Sequence, residues 1–156
     1  MMSVSSTFLL DQLGPKDIPD YIMNIFHNGV RNVAKITVQY SVRINDDNQS
    51  IYTLETIIEL AYFLGTTNVV IRSHILPRKG GVLEEDDGSY NNRKKFYILN
   101  DEDDMKKLQH DIMYYYMESV RLLELLSSNP ITVTITEYTI EDIMKEDSIQ
   151  GGNENV

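Results

Sequence analysis

NDDNQSIYTLETIIELAYFLG, residues 45–65, is the stretch whose reading decides the fold. Asn45, Asp46, Asp47 and Asn48 are consecutive turn formers. Gln49 to Tyr52 reads as a short return strand or as more of the turn. Thr53 can cap a helix, and Leu54, Ile57, Ile58, Ala61 and Leu64 recur at helical spacing. The spacing therefore predicts a helix over Leu54–Leu64, ended by Gly65.

Working outward, Lys35 to Ile44 alternates strictly. Ile36, Val38, Tyr40, Val42 and Ile44 face one way, and Lys35, Thr37, Gln39, Ser41 and Arg43 the other, which predicts a strand with one buried face. Before it, Asp17, Ile18 and Pro19 open a helix whose apolar face is Ile18, Ile22, Ile25 and Phe26, with a stop at His27, Asn28 and Gly29. After Gly65, Asn68 to Leu76 reads as a strand closed by Pro77. Arg78 to Asn92 reads as a loop containing Gly80, Gly81 and Gly88, and Lys94 to Leu99 as a further strand.

Asn100 to Pro130 has the clearest helix signals. Asn100 or Asp101 can serve as N-cap. Asp101 to Asp104 then lie at the positive end of the helix dipole. Met105, Leu108, Ile112, Tyr115 or Tyr116, Val120, Leu123 and Leu126 form an apolar stripe, and Pro130 forces an end. Such a helix is roughly 35–40 Å long. Met113, Tyr114, Tyr115, Tyr116 and Met117 are consecutive, so they surround the axis and one buried face cannot take them all. Ile131 to Tyr138 alternates as a strand, and Ile140 to Met144 as a last helical turn or two. The chain divides into an N-terminal arm (1–16), one α+β domain (17–145) and a polar, disordered tail (146–156).

The central order βαββαβ predicts a ferredoxin-like split βαβ sandwich: a four-stranded antiparallel sheet with helices on one face, plus the N-terminal helix. A real strand at 49–52 changes the order to ββαββαβ and predicts a β-grasp fold of the ubiquitin or PB1 type. Leu99, Asn100, Asp101, Glu102, Asp103, Asp104 and Met105 resemble the acidic strand-to-helix stretch of PB1 domains, which implies that same β-grasp alternative.

The formal net charge is −10 and there is no cysteine. The charge disfavours a general phosphate-backbone binder. The missing thiols exclude disulfides, thiol catalysis and cysteine-ligated metal centres, and point to a reducing compartment, cytoplasm or nucleus. No apolar run reaches the length of a membrane span. Phe8, Leu9 and Leu10 form a short apolar patch with no basic residue before it, which does not read as a signal peptide.

No GxSxG, HExxH, GxGxxG or P-loop pattern occurs. His27, His74 and His110 share no metal-ligand spacing, so neither a metal nor a cofactor is expected. Glu84 to Asp87 before Gly88 lack the terminal glutamate of a calcium loop and read as solvated acids or a docking site for a basic partner. These features favour a non-catalytic protein–protein interaction domain, a subunit or adaptor of a larger assembly. Its interface candidates are Met113, Tyr114, Tyr115, Met117, Val120, Phe8 and Leu9, taking a protein partner or a second copy. One alternative is a nucleic-acid-associated protein using Arg72, Arg78, Lys79, Arg93, Lys94 and Lys95, although no RNP-type aromatic motif is present. A third reading is an enzyme whose histidine and carboxylate site is assembled only by the fold.

Overall fold

The computed structural model describes residues 3–28, 32–44, 51–63, 65–79, 82–83 and 94–144. The chain runs β1 (Val4–Leu9), a single 3₁₀ turn (Leu10–Gln12), α1 (Asp17–Asn28), β2 (Val33–Arg43), β3 (Ile51–Phe63), β4 (Thr66–Lys79), β5 (Val82–Leu83), β6 (Lys95–Ile98), α2 (Glu102–Leu126) and β7 (Ile131–Thr139). Residues 140–144 add a final helical turn. Six strands form one open antiparallel sheet in the order β1-β7-β2-β3-β4-β6, and the two-residue β5 pairs with the end of β4.

The main departure from expectation lies in β3. Leu54–Leu64 was expected as a helix, and the described part of it is strand. Its apolar residues fit a period of two as well as one of 3.6: Leu54, Ile58 and Leu60 share a face with Thr56. Thr53, Thr56, Ile57 and Ile58 are β-branched, and Tyr52, Tyr62 and Phe63 are aromatic, which suits a pleated surface better than a helix. Long neighbours complete the choice. Ile58 pairs with Ile36 of β2 on one side and with Ile71 of β4 on the other, so the backbone groups of β3 are satisfied from both sides. Phe63 pairs with Thr66, and Gly65 between them has φ +80°, so the glycine expected to end a helix turns a hairpin instead.

The α+β class, the antiparallel sheet and the helices on one face hold. The four-stranded split sandwich is not confirmed in detail, and the β-grasp order also required the helix that β3 replaces. Part of the split motif survives: β1 and β2 both run antiparallel to β7, so they are parallel to each other with β7 between them and α1 connecting them. The supposed loop from Arg78 begins inside β4, which continues past Pro77, and contains β5; 84–93 lie outside the described residues, as do 45–50 and the tail. Residues 4–9 of the N-terminal arm supply the edge strand β1.

Both helices pack on one face of the sheet. Ile36, Val38, Tyr40 and Val42 of β2, Ile58 of β3, Val69 and Ile71 of β4, and Ile131, Val133 and Ile135 of β7 meet Ile18, Ile22, Ile25 and Phe26 of α1 and Met105, Leu108, Ile112, Tyr116 and Leu123 of α2 in one core. Tyr40 and Tyr116 pack edge to face, centroids 6.0 Å apart. The opposite face is largely polar and satisfies itself across strands. Ser5 bonds Thr136 (2.9 Å), Thr7 bonds Thr134 (3.1 Å), Ser41 bonds Thr53 (2.9 Å) and Gln39 donates to Glu55 (2.7 Å).

The ends of α2 are anchored. Asp101 is the N-cap, accepting from the Asp104 N–H (3.0 Å), and Asp104 accepts in turn from the Ile98 N–H (2.8 Å). Asn100 takes φ 70° at this joint, a conformation Asn tolerates. At the other end, Ser127 Oγ (2.8 Å) and Asn129 Nδ2 (2.6 Å) both donate to the Arg43 carbonyl at the end of β2. Replacing the fully buried Leu123 or Leu108 by alanine should cost about 2–5 kcal/mol, and Asp101→Ala about 1 kcal/mol. Urea denaturation followed by circular dichroism reads both, with the order Leu before Asp as the expected outcome.

Candidate interaction surface

The three consecutive tyrosines point three ways because successive helical residues are about 100° apart. Tyr116 enters the core. Tyr115 packs against the core from the flank, with the Lys95 ammonium 6.0 Å from its ring centroid. Tyr114 points away from the core and is 52% exposed, its ring 5.8 Å from that of Tyr115. Met117, three residues on, is 58% exposed, and Leu125 is 76% exposed. Between them Arg121 donates to Glu118 (2.9 Å). Tyr114, Met117, Arg121 and Leu125 follow the i, i+3, i+7, i+11 spacing, so they form one stripe on the face of α2 opposite its buried residues.

Of the other interface candidates, Phe8, Tyr115 and Val120 are half-buried against the core and Met113 is half-buried. Leu9 is 44% exposed on β1. Leu125 and Arg121 were not singled out from the sequence, although their spacing from Tyr114 was the available signal.

The N-terminal half of α2 has a different character. Lys106, Lys107 and His110, with Lys95 and Tyr97 of β6, line a shallow groove of about 630 Å³. Asp111 organises it: the Tyr97 hydroxyl donates to Asp111, and Lys95 Nζ and His110 Nδ1 each lie 3.7 Å from its carboxylate. Lys106 lies 3.8 Å from Glu102, one helical turn back. The basic residues expected to act together are separated by the sheet. Lys95 pairs with Ile71 on the helix-covered face, whereas Arg72, the next residue of β4, lies on the other face, 3.7 Å from Glu59. Lys94 is exposed just before β6. Arg78 and Lys79 lie in β4 with side chains outside the described set, and Arg93 and Glu84–Asp87 lie outside the described residues altogether.

Of the histidines, His110 lines this groove, while the side chains of His27 and His74 are outside the described set. Among the described residues, no three His, Asp or Glu side chains are grouped as a metal site. No helix there is long and apolar enough to cross a membrane. A second, smaller recess of about 210 Å³ sits between β1 and α1, lined by Phe8, Leu13, Ile18 and Ile135 with Asp17 and Tyr21. A scan of protein-family models and searches of curated proteins and solved structures found no match for this chain.

Burial, and then the hydrogen bond and charge of Asp111, hold the Tyr97 hydroxyl well above the ordinary tyrosine range. Burial, and then Tyr116, do the same for Tyr40. Both raise the folded-state value above that of the unfolded chain, about 10. Their contribution to stability is therefore fully present below about pH 10 and is lost as pH rises through the folded values, where the unfolded chain releases protons that the folded one keeps. Chemical denaturation in steps from neutral to strongly alkaline pH should show stability falling above about pH 10. In Asp111→Asn, ultraviolet titration should show Tyr97 ionising at lower pH than in the parent while burial still keeps it above the ordinary value.

Proposed function

We propose that this chain is a non-catalytic protein–protein interaction domain, serving as a subunit or adaptor in an intracellular assembly, cytoplasmic or nuclear. One observation carries the reading: the outward stripe of α2, Tyr114–Met117–Arg121–Leu125, exposes three large apolar side chains around Arg121 where a helix on a small sheet should be polar. Tyr, Met and Arg are the residue types enriched in the buried centre of protein interfaces. On the helix-free face, hydroxyls bond one another across strands and the Gln39 amide donates to Glu55, while Phe96 and Ile98 are exposed at its β6 end. On the α2 stripe Arg121 is paired with Glu118, and Tyr114, Met117 and Leu125 stay exposed. The absence of cysteine fits a reducing compartment.

A second reading, association with nucleic acid, is favoured by the groove in which Lys106, Lys107 and His110 lie beside Lys95. Against it stand the net charge of −10 and the partnering of Lys95 and Lys106 by carboxylates. It requires affinity that falls steeply with salt.

The double variant Tyr114→Ser/Met117→Gln changes only exposed side chains, so its stability should stay within about 0.5 kcal/mol of the parent. Affinity capture from the native source, quantified by mass spectrometry for both proteins, should show at least one partner bound by the parent and lost from the variant. Identical partner sets would remove the stripe as the binding surface.

A further inference from the structure

We infer that the outer edge of β1 is a self-association site, at which two copies of this chain pair their β1 strands antiparallel and join their sheets into one. The inference rests on the β1 edge alone and does not depend on the α2 stripe.

Two observations orient the edge. The Leu9 N–H is taken by the Gln12 side chain (2.9 Å), not by β7, which marks Leu9↔Thr132 as a pair without mutual backbone bonds. Ser5–Thr136 and Thr7–Thr134, two and four residues away in the same register, have their hydroxyls in contact, as expected where side chains approach most closely. It follows that Ser6 and Phe8 direct their backbone groups to β7. Ser5 and Thr7 direct theirs outward, and no described residue pairs with them.

A strand edge of this kind is normally blunted by lysine, proline, a bulge or a cover. Among the described residues β1 has none of these: its residues, VSSTFL, carry no charge and no proline, its pairing with β7 is unbroken by any bulge, and no other described element pairs with its outer side. Val4 lies on the helix-bearing face, paired with Glu137, and is 57% exposed, so its side chain is open to contact from a strand added alongside β1.

A second copy fits better than a foreign strand because the edge is complementary to itself. In the register that opposes Ser6 to Ser6 of the other copy, Ser5 and Thr7 of each chain exchange backbone bonds. Val4 then comes to lie beside the other copy's Phe8, on the same face. Because residue parity is preserved, both helix layers stay on one side of the joined sheet. With no charge on the edge, nothing on it selects an oppositely charged strand, whereas the chain at large, at −10, would attract basic partners elsewhere.

Proline at Thr7 or Ser5 removes an outward N–H and leaves the bonds to β7 intact, a position where an edge strand tolerates it. Sedimentation velocity across a concentration series should show a monomer–dimer equilibrium for the full chain. In Thr7→Pro or Ser5→Pro, with unchanged circular dichroism, the dimer should be roughly ten- to hundred-fold weaker, reflecting two backbone bonds lost across the two-fold axis. Ser6→Cys keeps every backbone donor, so it reads the pairing even if a proline variant fails to fold. Two cysteines at about 4.5 Å between Cα atoms can close a disulfide. Because the native chain has no cysteine, this variant should form a covalent dimer faster than Ser128→Cys, an exposed control. A chain that remains monomeric up to about 1 mM, a dimer that survives both proline variants, or equal cross-linking at positions 6 and 128 would each overturn the inference. The Tyr114→Ser/Met117→Gln variant should dimerise like the parent, so failure of this inference and failure of the α2 reading are separable.

Discussion

The row Ile36–Ile58–Ile71, three side chains side by side on β2, β3 and β4, is the register on which the rest of the structure depends. All three are fully buried. A slip of one residue in β3 would turn Ile58 and Leu54 to the helix-free face and bring Glu59 and Glu55 under α2, replacing apolar burial with buried charge. This row therefore determines which face of the sheet is apolar. That face in turn determines where α1 and α2 can lie.

With both helices on one face, the described residues form two layers. The uncovered face of the sheet is made compatible with water by its cross-strand Ser, Thr, Gln and Glu pairs. Two buried apolar residues on that face, Ile57 and Val70, lie outside the main core. The outer surface of α2 has no comparable compensation in its C-terminal half. Its first half carries Lys106, Lys107 and His110, and its second carries Tyr114, Met117 and Leu125. One helix thus presents a basic end beside β6 and, beyond it, an end with exposed apolar side chains around the Arg121–Glu118 pair, and its caps at Asp101 and Ser127 hold both in place.

Much of the fold was legible in the sequence where a signal was strong and local. The alternation of Lys35–Ile44 and Ile131–Tyr138, the capped acidic start of α2 and its stop before Pro130 all depend on neighbours within a few residues. Leu54–Leu64 was not legible, because its apolar positions satisfy both periods and the deciding partners, β2 and β4, are supplied by pairing across the sheet. The same holds for β1. Val4–Leu9 has few residues and little apolar content, and becomes a strand because β7 offers it an edge. In the candidate site, Tyr114 and Met117 were legible as a surplus of apolar residues on one helix. The separation of Arg72 from Lys95 was not, since it follows from which of two adjacent β4 residues faces the helices.

The sequence by itself determined the secondary structure of isolated, strongly patterned segments, the α+β class and the excess of apolar surface around Met113–Met117, because propensity, capping and periodicity act over a single turn or strand. Only the tertiary structure decided that 51–63 is a central strand, that three successive tyrosines divide between core, flank and solvent, and that an uncharged strand stands at the edge of the sheet. Each of these depends on hydrogen bonds and packing between residues far apart in the chain, and a backbone segment of ambiguous period adopts whichever form those distant partners can satisfy.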